Sequence, residues 1–102
     1  MINLFVRYKV KDYTVWKAAF DSFIETRRAG GEKSYQIFQT DSNPNDVLLF
    51  LEWDSLANAR TFMDNPELQE TMGAAGVLEA PEAYVLERYD YGEGVTSLVF
   101  TD

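Results

Sequence analysis

The strongest hydrophobic pattern in the chain lies near its middle, where residues 47–53 read VLLFLEW. A strand with one solvent-exposed face alternates apolar and polar positions, whereas this segment stays apolar on both faces until Glu52. The pattern therefore predicts a strand whose two faces are both covered in the folded protein.

Two short helices are predicted directly after this strand. Asp54 or Ser55 can accept hydrogen bonds from the free backbone N–H groups at a helix start. Apolar residues then recur at the spacing of helices, at Leu56, Ala59, Phe62, Met63, Leu68 and Met72. Asn65 and Pro66 divide this segment in two, because asparagine caps a helix and proline fits the first helical position.

Shorter patterns predict the remaining elements. Strand patterns cover residues 2–10, 34–40 and 83–91, and residues 41–46 form a polar turn before the central strand. A single helix is predicted from a cap at Asp12 to about residue 29, where two glycines end it. Its apolar stripe consists of Trp16, Ala19, Phe20, Phe23 and Arg27.

The order strand, helix, strand, strand, helix, strand predicts an α+β, ferredoxin-like βαββαβ fold. Its four-stranded antiparallel sheet carries two helices on one face. Residues 1–91 form the predicted domain, and residues 92–102 form a C-terminal extension. Within the extension, residues 95–100 have the composition of a strand, which predicts pairing either at the sheet edge or across a dimer.

The two faces of this sheet cannot both be covered by two helices. Because residues 47–51 are apolar on both faces, the second face needs another cover, and the simplest one is a second copy of the chain. The hydrophobic pattern therefore predicts a homodimer.

Composition and charge narrow the chemistry available. The chain has 17 acidic and 9 basic residues, and its net charge of −8 repels phosphate backbones and anionic lipid. Neither nucleic acid nor a membrane is expected as a partner. The chain has no cysteine and no histidine, which leaves carboxylates, tyrosine, lysine and arginine for acid–base work. The beginning of the sequence, MINLFVRYKV, lacks the pattern of a signal peptide, so a cytoplasmic location is expected.

Three segments resemble the dimeric α/β-barrel superfamily, and within it the small proteins of the antibiotic biosynthesis monooxygenase type. They are VRYKVKDYTVWKAAFDSF, LLFLEWDSLANARTFMDNPELQETM and PEAYVLERY, and the resemblance spans about residues 2–91. It implies a dimer whose two sheets pack into a barrel, with a pocket between sheet and helices in each subunit. In the monooxygenase members such a pocket binds a polycyclic aromatic substrate that reacts with O₂ without metal or flavin. The resemblance therefore implies no cofactor and no metal. The superfamily also includes haem-degrading enzymes, but this chain lacks the histidine that binds iron in that branch.

Arg7, Tyr35 and Glu52 are the candidate catalytic residues. Arg7 and Glu52 fall on neighbouring central strands, where they could bind an acidic or phenolic group and take a proton from it. The alternative is an ion pair that fixes the strand register. Tyr35 could donate a hydrogen bond to a substrate oxygen, or could serve only in packing.

Four apolar residues are predicted to shape a ligand pocket: Trp16, Phe20, Phe62 and Met72. Aromatic side chains can stack on a flat ligand, and the same helical stripe can equally form the core.

Three functions stay open at this stage. The first is a cofactor-independent monooxygenase, or a related cyclase or isomerase, that acts on a small aromatic or polyketide-like molecule. The second is a non-catalytic homodimer that binds a small molecule, and the third is a structural homodimer without a pocket.

Overall fold

The computed structural model describes residues 2–93, and its helices and strands follow the predicted order with one additional helix. The elements are β1 (Ile2–Lys9), α1 (Tyr13–Ser22), α2 (Ile24–Gly30), β2 (Glu32–Thr40), β3 (Asn43–Trp53), α3 (Leu56–Met63), α4 (Pro66–Ala74) and β4 (Glu82–Glu87). The longest helix of residues 2–93 has ten residues, and none is long and apolar enough to cross a membrane.

The four strands form one antiparallel sheet in the order β2-β3-β1-β4. β1 and β3 occupy the two central positions, and Ile2 lies opposite both Trp53 and Glu87. This arrangement confirms the predicted α+β, ferredoxin-like fold with a four-stranded antiparallel sheet.

The buried core lies between the helices and one face of the sheet. The central strands contribute Leu4, Val6, Tyr8, Val47, Leu49, Leu51 and Trp53. The helices contribute Trp16, Phe20, Ala59, Leu68 and Met72, and Phe23 joins them from between α1 and α2. Alternate residues of β1 and β3 point to the opposite face, which no helix of residues 2–93 covers, so we call it the helix-free face.

The predicted helix caps are confirmed by their hydrogen bonds. The Asp12 carboxylate accepts from the Thr14 backbone N–H at 2.9 Å, and the Ser55 hydroxyl oxygen accepts from the Asn58 N–H at 3.1 Å. The Asn65 side chain accepts from a backbone N–H at the start of α4, where proline takes the first helical position.

The prediction of one helix before β2 is wrong, because the chain breaks at Phe23 into α1 and α2. In a continuous helix the Ala19 and Phe20 carbonyls would accept from the backbone N–H groups of residues 23 and 24. Here the Ser22 hydroxyl donates to the Ala19 carbonyl at 2.6 Å, and the Arg27 guanidinium donates to the Phe20 carbonyl. These two side chains donate hydrogen bonds to carbonyls at the end of α1, so neither carbonyl lacks a donor where the helix breaks.

The predicted strand bounds are also corrected: β1 ends one residue earlier than predicted, at Lys9, β2 begins two residues earlier, at Glu32, and β3 and β4 differ by more. The turn before β3 is only two residues long, at positions 41–42, since β3 already begins at Asn43. The Thr40 hydroxyl and the Gln39 amide donate to carbonyls at the start of β3, both at 3.0 Å, and so hold the strands together there. β4 ends at Glu87 rather than at residue 91, because its neighbour β1 begins at Ile2, which lies opposite Glu87.

The C-terminal extension stays a prediction. Its proposed strand at residues 95–100 lies outside the described residues.

Candidate functional site

A cavity of about 390 Å³ lies between the helices and the sheet face that they cover. Most of its lining is apolar, and three lining residues have side chains that can form hydrogen bonds: Tyr8, Arg27 and Gln69. The other lining residues are Leu4, Val6, Phe20, Phe23, Leu49, Leu51, Phe62, Met63, Leu68, Met72, Gly73, Val77, Ala80, Pro81 and Ala83. Such a volume and lining are typical of small-molecule sites, which span about 300–1,000 Å³.

The mouth of the cavity lies between α4 and the segment that leads into β4. The solvent-exposed lining residues cluster there: Gln69 and Gly73 on α4, and Ala80 and Pro81 before β4. Arg27 is fully buried and packs near β2, and the strand order places β2 at the sheet edge opposite β4. Arg27 therefore marks the closed end of the cavity.

Arg27 is held on three sides by contacts within the chain. Its Nε donates to the two carboxylate oxygens of Glu32 at 3.0 and 3.1 Å, and its Nη1 donates to the Phe20 carbonyl. The guanidinium carbon lies 3.7 Å from the Phe20 ring centroid and 5.5 Å from that of Tyr35. Burial raises the pKa of Glu32, while the charge and hydrogen bonds of Arg27 oppose that shift.

Sequence reasoning missed the importance of Arg27 and assigned it only to a helical stripe. The signal was present, since a charged residue at a core-facing position of an apolar stripe requires a buried partner. That partner, Glu32, lies five residues further along the chain.

Tyr8 supplies a second polar group to the cavity wall. Burial raises the pKa of Tyr8 to about 12, because the phenolate is poorly solvated there. The side chain therefore stays protonated at neutral pH and can donate a hydrogen bond.

Three of the four predicted pocket residues line the cavity: Phe20, Phe62 and Met72. The fourth, Trp16, is not a lining residue. It is completely buried and stacks on Phe20 at a centroid distance of 5.2 Å, so it supports the cavity wall from behind.

The predicted catalytic residues Arg7 and Glu52 lie on the helix-free face, on the opposite side of the sheet from the cavity. In the β1–β3 register Arg7 is opposite Leu48 and Glu52 is opposite Asn3. Four residue steps of roughly 3.3 Å each separate them along the strands, or about 13 Å. The structure therefore does not bring the two side chains together.

Each of these two charged side chains has a different neighbour from the one predicted. Arg7 donates to both carboxylate oxygens of Asp46, at 2.9 and 2.6 Å, which raises the pKa of Arg7 and lowers that of Asp46. The Glu52 carboxylate lies 3.5 Å from the Ser34 hydroxyl. Tyr35, the third predicted catalytic residue, is not a lining residue and packs on Phe20 at 5.3 Å.

The helix-free face carries aromatic side chains that cross all four strands, and we call these four residues the aromatic row. They are Phe38 on β2, Phe50 on β3, Phe5 on β1 and Tyr84 on β4. Neighbouring ring centroids are 6.0, 5.2 and 6.0 Å apart in that order. Phe38 is 49%, Phe50 37% and Tyr84 54% exposed, so the row presents a continuous apolar surface to solvent.

Within residues 2–93, no group of three or more aspartate or glutamate side chains is arranged to hold a metal ion.

No protein-family model matches the sequence, and no curated protein sequence matches it. Solved structures do match. SnoaB, a cofactor-independent oxygenase from Streptomyces nogalater, gives a TM-score of 0.73 at 12% identity over 88% of this chain and 94% of that one. A monooxygenase from the gene ActVA-Orf6 of Streptomyces coelicolor, in complex with the ligand nanaomycin D, gives 0.71 at 17% identity over 91% of each chain.

A third match is a putative antibiotic biosynthesis monooxygenase from Bordetella bronchiseptica, with a TM-score of 0.72 at 15% identity over 85% of this chain and 95% of that one. At these identities the match concerns the fold, not the reaction. The chain thus has the fold of structures named as antibiotic biosynthesis monooxygenases, as its sequence resemblance implied.

Proposed function

We propose that this protein binds a small aromatic or polyketide-like molecule in the cavity between sheet and helices, and acts on it as a cofactor-independent monooxygenase. The observation that carries the proposal is the cavity itself, about 390 Å³ in volume and apolar except for a few polar groups. The shared fold with structures named as oxygenases supports the same reaction class.

The proposed chemistry starts from a ligand that carries an oxygen on an aromatic ring. The ligand loses a proton to water at the mouth of the cavity, and the resulting phenolate or carbanion passes one electron to O₂ without a metal. The ligand radical and superoxide then combine to a hydroperoxide, and loss of water leaves one oxygen atom on the ring as a carbonyl. Tyr8 would donate a hydrogen bond to the ligand oxygen on which negative charge develops, and the apolar walls would exclude water and strengthen this interaction.

A second candidate function is non-catalytic binding of the same class of ligand. It is favoured by the lining of the cavity, because none of the described lining residues is a carboxylate and the chain has no histidine. Such a lining contains no evident general base near neutral pH.

A thermal-shift experiment tests the binding that both candidates share. We expect members of a panel of aromatic polyketides, quinols and small lactones to raise the melting temperature, because a ligand specific for the folded state stabilises it. Ala83→Phe would narrow the cavity beside its mouth and abolish the shift, whereas Ala57→Phe on the exposed side of α3 would leave it unchanged.

The two candidates are then separated by oxygen uptake with the best ligand. Uptake that depends on the protein, and that Ala83→Phe removes, supports the oxygenase. Binding without uptake supports the binding protein. The absence of any thermal shift across the panel would refute both.

We further propose that a second copy of the chain covers the helix-free face. The aromatic row supports this partner, since an exposed apolar surface that crosses a whole sheet is typical of an interaction site. Arg7 and Glu52 flank the row on its two sides and would form part of a polar rim around it.

A further inference from the structure

Helix α4 contains a glycine that the helix itself does not need. Gly73 lies within the last turn of α4, and its φ is not positive, since Gly31 and Gly76 are the glycines of residues 2–93 with a positive φ. Apart from its chain neighbours and the backbone of α4, no atom of residues 2–93 lies within 4 Å of the place that a Cβ would take. Neither backbone conformation nor close packing therefore requires glycine at this position.

Gly76, three residues later, is a glycine that the helix end does require. Its φ is 92°, its N–H donates to the Gly73 carbonyl at 3.2 Å, and the N–H of Val77 donates to the Met72 carbonyl at 3.3 Å. This pair of hydrogen bonds closes a helix and needs a left-handed residue between them, a conformation that glycine adopts without strain. Because Gly76 ends the helix, Gly73 contributes nothing to that end and only makes α4 less stable than alanine would.

Gly73 lies instead at the mouth of the cavity. It lines the cavity together with Gln69, and residues four apart lie above one another on the same side of a helix. A side chain at position 73 would therefore extend to the same side as that of Gln69, towards the gap between α4 and Pro81. Gln69 and Gly73 are both exposed, so a molecule that enters from solvent can reach this place.

We propose that Gly73 is a specificity-determining residue, which leaves room in the mouth for the outer end of a ligand that is longer than the enclosed part of the cavity. The proposal rests on the proposed function and adds which sizes of ligand the site accepts. A methyl group at position 73 would take up part of this space, and a larger side chain would fill it. Short ligands would still fit behind the mouth, whereas the outer end of a long ligand would be excluded.

Two neutral fluorescent probes of different length test the proposal. The shorter is 1-aminonaphthalene, and the longer is N-phenyl-1-naphthylamine, which carries an additional phenyl ring. Dissociation constants are measured by fluorescence titration with the unaltered protein, Gly73→Ala and Gly73→Leu. We expect Gly73→Leu to bind the longer probe at least about tenfold more weakly, because burial of one phenyl ring is worth more than this factor. Gly73→Ala should have a smaller effect, and the affinity for the shorter probe should stay the same in both variants.

Ala74→Leu is the matched control. Ala74 is the next residue of α4, is also exposed and does not line the cavity. Leucine there adds the same apolar side chain to the same helical turn, so both dissociation constants should equal those of the unaltered protein. Alanine and leucine favour helices more than glycine does, so neither Gly73 variant should melt below the unaltered protein. Thermal unfolding without ligand thus separates a narrowed mouth from a damaged fold.

Each other outcome overturns the proposal in a different way. If Gly73→Leu and Ala74→Leu bind the longer probe equally tightly, position 73 does not limit the ligand, and binding in the cavity is left intact. If Gly73→Leu loses both probes alike, a side chain there closes the whole cavity and does not select by length. If neither probe binds to the unaltered protein, the cavity does not accept aromatic molecules, and the proposed function fails together with this proposal.

Discussion

Replacing Phe50 with alanine removes the side chain at the centre of the aromatic row. Phe50 packs against Phe5 at 5.2 Å and Phe38 at 6.0 Å, and it is 37% exposed within one chain. If a second copy covers the helix-free face, this exposed part becomes buried in the dimer. The substitution should therefore weaken association, whereas changes outside the helix-free face should not.

The size of the effect follows from the exposed fraction of Phe50. A phenylalanine side chain can bury roughly 200 Å², so 37% exposure leaves about 75 Å² for the partner to cover. At about 25 cal/mol per Å² this burial contributes about 1.9 kcal/mol per chain. Because a two-fold dimer contains the residue twice, Phe50→Ala should raise the dissociation constant by about several hundred-fold.

Sedimentation velocity over a series of concentrations measures this change. Val15→Ala is the matched control, since Val15 is an apolar residue of α1 that is 53% exposed and lies away from the sheet. Circular dichroism should first show that both variants are folded at the temperature of the experiment. An equal dissociation constant for Phe50→Ala and the unaltered protein would show that another surface holds the copies together. If the protein is a monomer at tens of micromolar, the proposal that a second copy covers the helix-free face is wrong.

Three further predictions concern stability. Gly31 has a φ of 120°, and a Cβ there would lie 2.4 Å from Oδ1 of Asp54, so Gly31→Ala should destabilise the fold by about 1–3 kcal/mol in thermal unfolding. Gly73→Ala in helix α4, where a Cβ meets nothing within 4 Å, should instead stabilise it by about 0.5–1 kcal/mol, and equal effects of the two would contradict the reasoning. Burial raises the pKa of Tyr8 from 10.0 to about 12, so its contribution to stability is complete below pH 10 and is lost as the pH rises through 12. Tyr8→Phe should therefore flatten the decline in urea stability over this interval, whereas parallel declines would show that Tyr8 is not the group responsible.

The elements that could be predicted from sequence are those decided by residues close together in the chain. Asp12, Ser55 and Asn65 cap helices through backbone groups two or three residues away. The break at Phe23 could not be predicted in this way. It coincides with a hydrogen bond from the Arg27 side chain back to the Phe20 carbonyl, seven residues earlier, and a periodic apolar stripe contains no information about that bond.

The same distinction between local and long-range contacts explains which predicted site residues the structure brings together. Helical spacing placed Phe20, Phe62 and Met72 towards the sheet, where all three line the cavity. The pairing of Arg7 with Glu52 depended on strand register, which is set by contacts between distant parts of the chain. The residue pattern along a single strand does not show how that strand aligns with its neighbour.

The position of β1 has a consequence for the order in which the protein can fold. Both of its neighbours come later in the chain, and the more distant pairing joins Ile2 to Glu87. The β2–β3 hairpin, closed by a two-residue turn, can form early because its contacts are local. The second edge of β1 can be paired only after β4, near the end of the domain, has left the ribosome. During synthesis one edge of β1 therefore stays unpaired until β4 has emerged, and an unpaired apolar edge is where partly folded chains can aggregate.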